Sequence, residues 1–475
     1  MHLIRQHIID IECSSQNLGK QMQAQLGHVF EKEFYPKLEL LLERYAVPDY
    51  TWDIDCLDIV LPSVNAKNWK AELVDTVLAE IEDYLKSHKP ILRKVAAAQT
   101  EQQHFWLTDA EHAEHLLFDF LKTGMLTANS LSQELRKILG MIEVNPSFRQ
   151  RLLVAMAAND KVLARWIFAI PVDFKTKIGQ QLTATDQMLT RFFVQLFQNR
   201  PVAFIRTSKI INPEWLDLLQ WFSLLYGQAV SKTQAVAEFL RLSNQYWEIS
   251  LIEMRAVFAF ADKQVQTESN RHPNELRLFL QEIAVAIYNV KTQIHVEMPD
   301  AEPPVKSEAS HFINNAGLVI LHPFLQMLFE KLGLCKEENW TTKNSQHKAV
   351  LLTQYLVSGH DEIFENELLF NKILCGLPFD GVVNTKLKIT QNEKDKCQSL
   401  LETVNGYWKA MNGSSVAALR ESFLLREGKI SLENDPNFEL WVAEKGFDIL
   451  LEQLPWGISL FKTPWMKDFM NCYWD

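Results

Sequence analysis

The sequence predicts a mainly α chain with small β elements, an α+β fold. Three observations lead there. The first ninety or so residues alternate between period-two apolar stretches and a period-four stripe; the next two hundred or so carry almost no strand pattern; the remainder mixes helical segments with short strand candidates.

The opening MHLIRQHIIDIE sets Ile9 and Ile11 on one face and Asp10 and Glu12 on the other, the period of a half-buried strand. A helix follows, with Leu18, Met22, Leu26, Phe30, Phe34, Leu38 and Leu42 in one stripe and Ser14 or Ser15 available as its cap. Pro36 removes a helix hydrogen bond and predicts a kink or a break. YTWDIDCLDIVLP alternates again, Trp52, Ile54 and Cys56 against Asp53 and Asp55, and a second helix runs from about Lys67 to Ser87. A helix between two strands favours a parallel crossover in a small sheet. Residues 1–95 are therefore expected to form an N-terminal strand-helix-strand-helix unit.

Residues 96–296 read as an irregular helical array: EHLLFDFLKTG, SFRQRLLVAMAAN and DQMLTRFFVQLFQN are amphipathic, and NRP, INP and AIPVD break them. No regular repeat or long heptad run is present. EMPDAEPPVKSEAS, residues 297–310, has the proline and acid content of an exposed linker. Residues 311–475 are expected to form a helix-rich C-terminal domain with a small sheet. Helices are predicted at 313–333, 346–358, 362–374, 391–411 and 415–425, GKISLE and FELWVA form a hairpin across NDPN, FDILLEQL adds a helical segment, and GISLF is a last strand candidate.

Composition excludes several classes of function. With 47% hydrophobic and 23% charged residues the 475-residue chain is an ordinary globular one, and a formal charge of −11 without a basic, aromatic-interleaved run argues against nucleic acid. Cys13, Cys56, Cys335, Cys375, Cys397 and Cys472 are scattered, which reads as reduced structural thiols. The N-terminus lacks the pattern of a secretory signal, and no apolar run is long enough to span a bilayer, so cytosolic synthesis without membrane insertion is expected.

Phosphate loops, dinucleotide fingerprints, HExxH and nucleophile elbows do not occur in the sequence. His112 and His115, three apart on a predicted helix with Glu111 or Glu114, are the best metal candidates. The same acids also suit the first turn of a helix starting at Thr108, and a third ligand is missing. Asp53, Asp55 and Asp58 suggest a metal row, but alternation puts the first two on the solvent face of a strand. Cys375 in NKILCGLPFDG is a candidate nucleophile, yet it precedes a helix-ending glycine and proline, where packing is the usual role and the dipole does not lower a thiol pKa. No cofactor and no active site is assigned.

NNAGLVILHPFLQMLFEKLGL (314–334), KAVLLTQYLVSG (348–359), ELLFNKILCGLP (367–378) and LPWGISLFKTPWM (454–466) resemble successive C-terminal signature segments of the contractile injection system tape measure family. MHLIRQHIIDIE, WDIDCLDIVLP and HLLFDFLKTGML are similar to that family's N-terminal segments, in the same order. The resemblance implies a structural component of a phage-tail-like particle that sets inner-tube length and contacts inner-tube and baseplate proteins, made in the cytoplasm and then held inside the tube. A fully helical chain would reach about 700 Å, but the many helix breakers here predict compact domains for the free protein. Two other roles are open: a soluble assembly chaperone or adaptor for tube or cargo proteins, and a metal-dependent or cysteine enzyme.

The third and fourth of those C-terminal segments carry the candidate packing or docking motif: Asn371, Cys375, Gly376 and Pro378, with the two Pro-Trp steps Pro455-Trp456 and Pro464-Trp465 placed nine residues apart. On burial grounds the tryptophans are core anchors around GISLF with the prolines stopping the flanking elements. In the docking reading they close a rigid unit that carries a contact surface.

Overall fold

In the computed structural model of the chain, residues 4, 9, 11, 13, 16–46, 50–54, 57–61, 68–87, 104–126, 132–179, 184–199, 207–228, 231–268, 272–290, 310–431 and 438–474 are described. They fall into two compact units, Met1–His115 and Leu116–Asp475. Both are mainly helical with small sheets, as the sequence predicts.

In the first unit the period-four stripe becomes helix α1 (Gln16–Val29), a π turn (Phe30–Phe34) and helix α2 (Tyr35–Tyr45). Pro36 stands in the first turn of α2, so the predicted break takes the form of a wider turn just before the proline. The π turn also keeps the stripe in phase. A four-residue repeat overshoots a 3.6-residue turn by about 40° per step, and the wider turn takes part of that drift back. Met22, Phe30, Phe34 and Leu38 stay buried against Trp69, Val74, Ile81 and Leu85 of helix α3 (Trp69–Ser87). Most of the predicted first strand lies outside the described residues.

Strand β1 (Tyr50–Ile54) pairs antiparallel with β2 (His104–Thr108), Trp52 opposite Trp106. The expected parallel crossover rests on that first strand and so lies outside the described residues; among the described residues β1 finds an antiparallel partner after α3, in HFWLT, a stretch assigned from sequence to the helical array. Asp58 is exposed, while the side chains of Asp53 and Asp55 lie outside the described residues.

Helix α4 (Asp109–Thr123) starts one residue after the predicted Thr108, whose Oγ1 accepts from Glu111 N. The helical array follows with α5 (Ser132–Met141), α6 (Pro146–Ala158), α7 (Asp160–Ala169), α8 (Val172–Gly179), α9 (Ala184–Asn199), α10 (Thr207–Ile210), α11 (Pro213–Gln228), α12 (Lys232–Trp247), α13 (Leu251–Thr267) and α14 (Asn274–Asn289). Side-chain caps set several of these boundaries. Asn145 accepts from Phe148 N ahead of Pro146, Asn159 accepts from Lys161 N where α6 gives way to α7, and Asn212 accepts from Trp215 N ahead of Pro213. Ser250 and Glu253 form a capping box on α13. Aromatic rings fill the array's interior, with Phe193 against Trp215 and Phe258, Phe222 stacked on Phe239 at 4.3 Å, and Trp166 edge-on to Trp221 at 5.3 Å. The NRP break after α9 lies beyond Asn199 and outside the described residues, as does the linker except for Ser310.

The C-terminal part departs from the predicted helices where apolar runs are buried on all sides. The 313–333 segment is strand β3 (Ser310–Ile313), a 3₁₀ helix (Ala316–Phe324) containing Pro323, and helix α15 (Leu325–Lys331). A Cβ on Gly317 would lie 1.7 Å from the Phe423 carbonyl oxygen, so two backbones meet there and only glycine fits. A two-residue ladder (β4, Cys335–Lys336; β5, Asn339–Trp340) leads to α16 (Lys343–Ser358), α17 (Leu369–Leu374), α18 (Gln391–Tyr407) and α19 (Val416–Leu419). The predicted hairpin is present as β6 (Gly428–Ser431) and β7 (Glu439–Val442), GISLF contributes β8 (Leu460–Phe461), and FDILLEQL is 3₁₀ over Asp448–Gln453. A strand the sequence pattern did not reveal, β9 (Met470–Tyr473), lies parallel to β7 and completes a five-stranded sheet of order β3-β6-β7-β9-β8. Its inner face buries Ile313, Ile430, Leu440, Met470 and Cys472. Its outer face carries Phe312, Lys429, Trp441 and Tyr473 in register, with Trp441 stacked on Tyr473 at 4.1 Å.

Candidate functional site

Helix α17 is the element on which the four C-terminal segments converge. It ends with its C-cap at Cys375, and Gly376 adopts φ +68°. Leu377 N donates to Lys372 O at 2.9 Å and Gly376 N to Ile373 O at 3.1 Å, the double hydrogen bond of a Schellman ending, with Pro378 just beyond to stop the helix. Two carbonyls left over at that end find side-chain donors from elsewhere. Thr463 Oγ1 donates to Leu374 O at 2.6 Å, and Gln346 Nε2 to Cys375 O at 2.9 Å. Gly376 also lets the final Pro-Trp step approach: a Cβ there would stand 2.3 Å from the Trp465 carbonyl oxygen.

One turn earlier, Asn371 sits in a buried amide network. Asn315 Nδ2 donates to Asn371 Oδ1 (2.7 Å) and Gln354 Oε1 (2.9 Å), and Asn371 Nδ2 donates to Thr353 Oγ1 (2.9 Å). These four residues come from three of the quoted segments, Thr353 and Gln354 from the same one. Buried amides held this way fix one register between elements that apolar packing alone would let slide.

The two tryptophans play different parts. Trp456 Nε1 donates to Ile320 O at 2.9 Å, and its ring meets Phe324 edge-on at 4.9 Å. Ile320 is buried inside the 3₁₀ helix, where its carbonyl would take a donor three residues on, and that residue is Pro323, which has no N–H. The indole replaces the missing bond. Trp465 stacks on Trp340 at 4.4 Å and lies tilted against Phe329 at 5.5 Å, but its Nε1 is buried without a hydrogen-bond partner among the described residues. Pro455 is exposed and Pro464 half-buried. Both rings thus lie against the core cluster of the C-terminal part.

The candidates for chemistry are placed as follows. Cys375 is fully buried and burial pushes its thiol pKa well up, opposite to what an attacking thiolate requires. Glu111 Oε2 accepts from Thr108 N (2.8 Å) and Thr108 Oγ1 (2.9 Å), so this carboxylate caps α4; His115 is exposed. Among the described residues no three His, Cys, Asp or Glu side chains are grouped to hold a metal ion. His347 is buried on α16, where Nδ1 accepts from Asn384 N, which leaves the proton on Nε2; burial pulls its pKa down to about 3.

Sequence reasoning singled out Asn371, Cys375, Gly376, Pro378 and both Pro-Trp steps, and the structure brings Asn371, Cys375, Gly376 and Trp465 onto one helix end. It missed Asn315, Gln346, Gln354 and Thr463. Their signal is present in hindsight, because each is a polar residue inside or beside a run otherwise fit for burial.

The family model described as contractile injection system tape measure protein matches residues 1–474. Comparison with curated proteins and with solved structures gave no match.

Proposed function

The chain belongs to the contractile injection system tape measure family, and from that premise we propose that it is a non-enzymatic component that sets the length of the inner tube and contacts tube and baseplate proteins from inside the particle. The family places it in a structural role, associated with tube and baseplate components. The observation that supports a contact role for the C-terminal part is the convergence on α17: four separated segments are tied together by buried side-chain bonds into one preformed body. Such a body suits a terminus that has to hold its shape while other proteins assemble on it. The outer face of the five-stranded sheet, with Phe312 and Trp441 about half exposed, offers it an aromatic contact surface.

The test is particle assembly with and without the protein. Deletion is expected to give tubes of altered length or none, and mass spectrometry of purified particles should find the chain in them. Particles of normal number and length without it would end the length-setting proposal. A chain absent from finished particles would favour an assembly chaperone instead. Trp465→Ala and Trp441→Ser separate folding from docking: the first is expected to destabilise the fold, the second to leave it intact and reduce incorporation.

A further inference from the structure

The second unit holds two apolar interiors rather than one. The buried cluster of the C-terminal part runs from Ile313 to Cys472, and of the partly buried hydrophobic side chains packed on it Met125 is the one from before Ile313. What joins the helical array to this part is mostly polar, beside the contact of the Tyr246 ring with buried His347 at 5.7 Å. Arg165, fully buried on α7, donates from Nε to Glu365 Oε1 (3.0 Å), from Nη1 to Leu121 O (2.6 Å) and from Nη2 to Asp380 O (2.7 Å). Lys372 on α17 donates to the same Glu365 Oε1 at 2.9 Å. Around this centre Lys161 pairs with Asp380, Arg136 with Glu362, and Thr385 Oγ1 donates to Phe168 O at 2.7 Å.

The centre is built but incomplete. Gly124, at φ +78°, closes over it, and a Cβ there would stand 3.0 Å from both Arg165 Nη2 and Glu365 Oε1. Two buried cations share one carboxylate oxygen, while Glu365 Oε2 has no hydrogen-bond partner among the described residues. Burial holds Lys372 below the usual lysine range even with Glu365 beside it. A buried ion pair of this kind contributes little net stability, yet removing one partner strands the others. A joint made this way fixes geometry more than it adds strength.

We propose that the joint is a charge latch: the helical array (116–290) and the C-terminal body (310–474) are separately stable, are held in one arrangement by Arg165, Glu365 and Lys372, and part as intact bodies when that centre loses its carboxylate. The covalent link, residues 291–309, can reach about 60 Å at roughly 3.3 Å per residue, so the bodies separate without breaking the chain. The latch is independent of the proposed place in the particle.

The test uses the full chain and Glu365→Gln, which leaves Arg165 and Lys372 buried without their counter-charge. Small-angle scattering is expected to show a larger radius of gyration. Hydrogen exchange is expected to accelerate at least tenfold at Gly381, Asn384 and Gly124, which lie at the joint, while amides inside α18 and α13 keep their protection. Wild-type exchange in mild urea supplies the check that needs no variant: joint amides should open before either interior. An unchanged radius of gyration, unfolding of the variant in one transition, or joint and interior amides exchanging together in the wild type would each overturn the proposal.

Discussion

Replacing each indole by a benzene ring, Trp456→Phe and Trp465→Phe, separates the two halves of the Pro-Trp repeat. Both rings are half-buried against the same cluster, so the lost apolar area largely cancels when the variants are compared with each other. What differs is the N–H. Trp456→Phe strands the buried Ile320 carbonyl, whose helical donor would have been Pro323, and a buried polar group without a partner costs about 1–3 kcal/mol. Trp465→Phe deletes an N–H that has no partner and so relieves a cost of the same kind, about 1 kcal/mol. The first variant is therefore expected to be less stable than the second by about 2–4 kcal/mol. At roughly 2–4 °C per kcal/mol for a body of this size, their melting temperatures should differ by about 4–16 °C in calorimetry of the full chain. Equal melting temperatures, or the opposite order, would refute the assignment of the two rings.

Gly376→Ala adds the left-handed backbone penalty, about 1–2 kcal/mol, to a clash with the Trp465 carbonyl; denaturant unfolding should show a loss above 2 kcal/mol, well beyond that of an exposed glycine such as Gly457. His347 has a folded pKa of about 3 against an unfolded value near 6.5, so its contribution is complete above about pH 6.5 and is lost as pH falls toward 3. Stability measured across that range should fall by about 1.4 kcal/mol per pH unit more in the wild type than in His347→Asn. Thiol titration of the native chain should find Cys335, Cys375, Cys397 and Cys472 unreactive until unfolding, with the half-exposed Cys13 reacting before them.

The helices were legible wherever one face is apolar and the start carries a cap, as in α4 and α6. The strands were less so. HFWLT and MNCY are short, and MNCY pairs in parallel with β7, so its register comes from tertiary packing and leaves little alternation to read. Motif residues close in sequence, such as Asn371, Cys375 and Gly376, stand out together, because a helix ending is a local event. Their partners were not, since Thr463 meets Leu374 across 89 residues and Arg165 meets Glu365 across 200. A lone arginine in VLARWIFA tells a reader that something buried must answer it, but pattern alone cannot name a partner that far along the chain.

The Pro-Trp repeat gains its meaning from this distance. Proline at 323 removes one hydrogen bond from a buried 3₁₀ helix, and a tryptophan 136 residues beyond Ile320 restores it. The other tryptophan closes over a helix end that only glycine allows, and a threonine two residues before it supplies that end's missing donor. Each defect left by a local choice in one segment is made good by another segment, so no segment of the C-terminal body is finished alone. The two tryptophan rings are therefore turned inward, against the core. A contact surface for tube or baseplate proteins has to be sought on what faces outward, above all the Phe312, Trp441 and Tyr473 row. The helical array meets the same body through charges instead, a junction that can open while the C-terminal body keeps its shape.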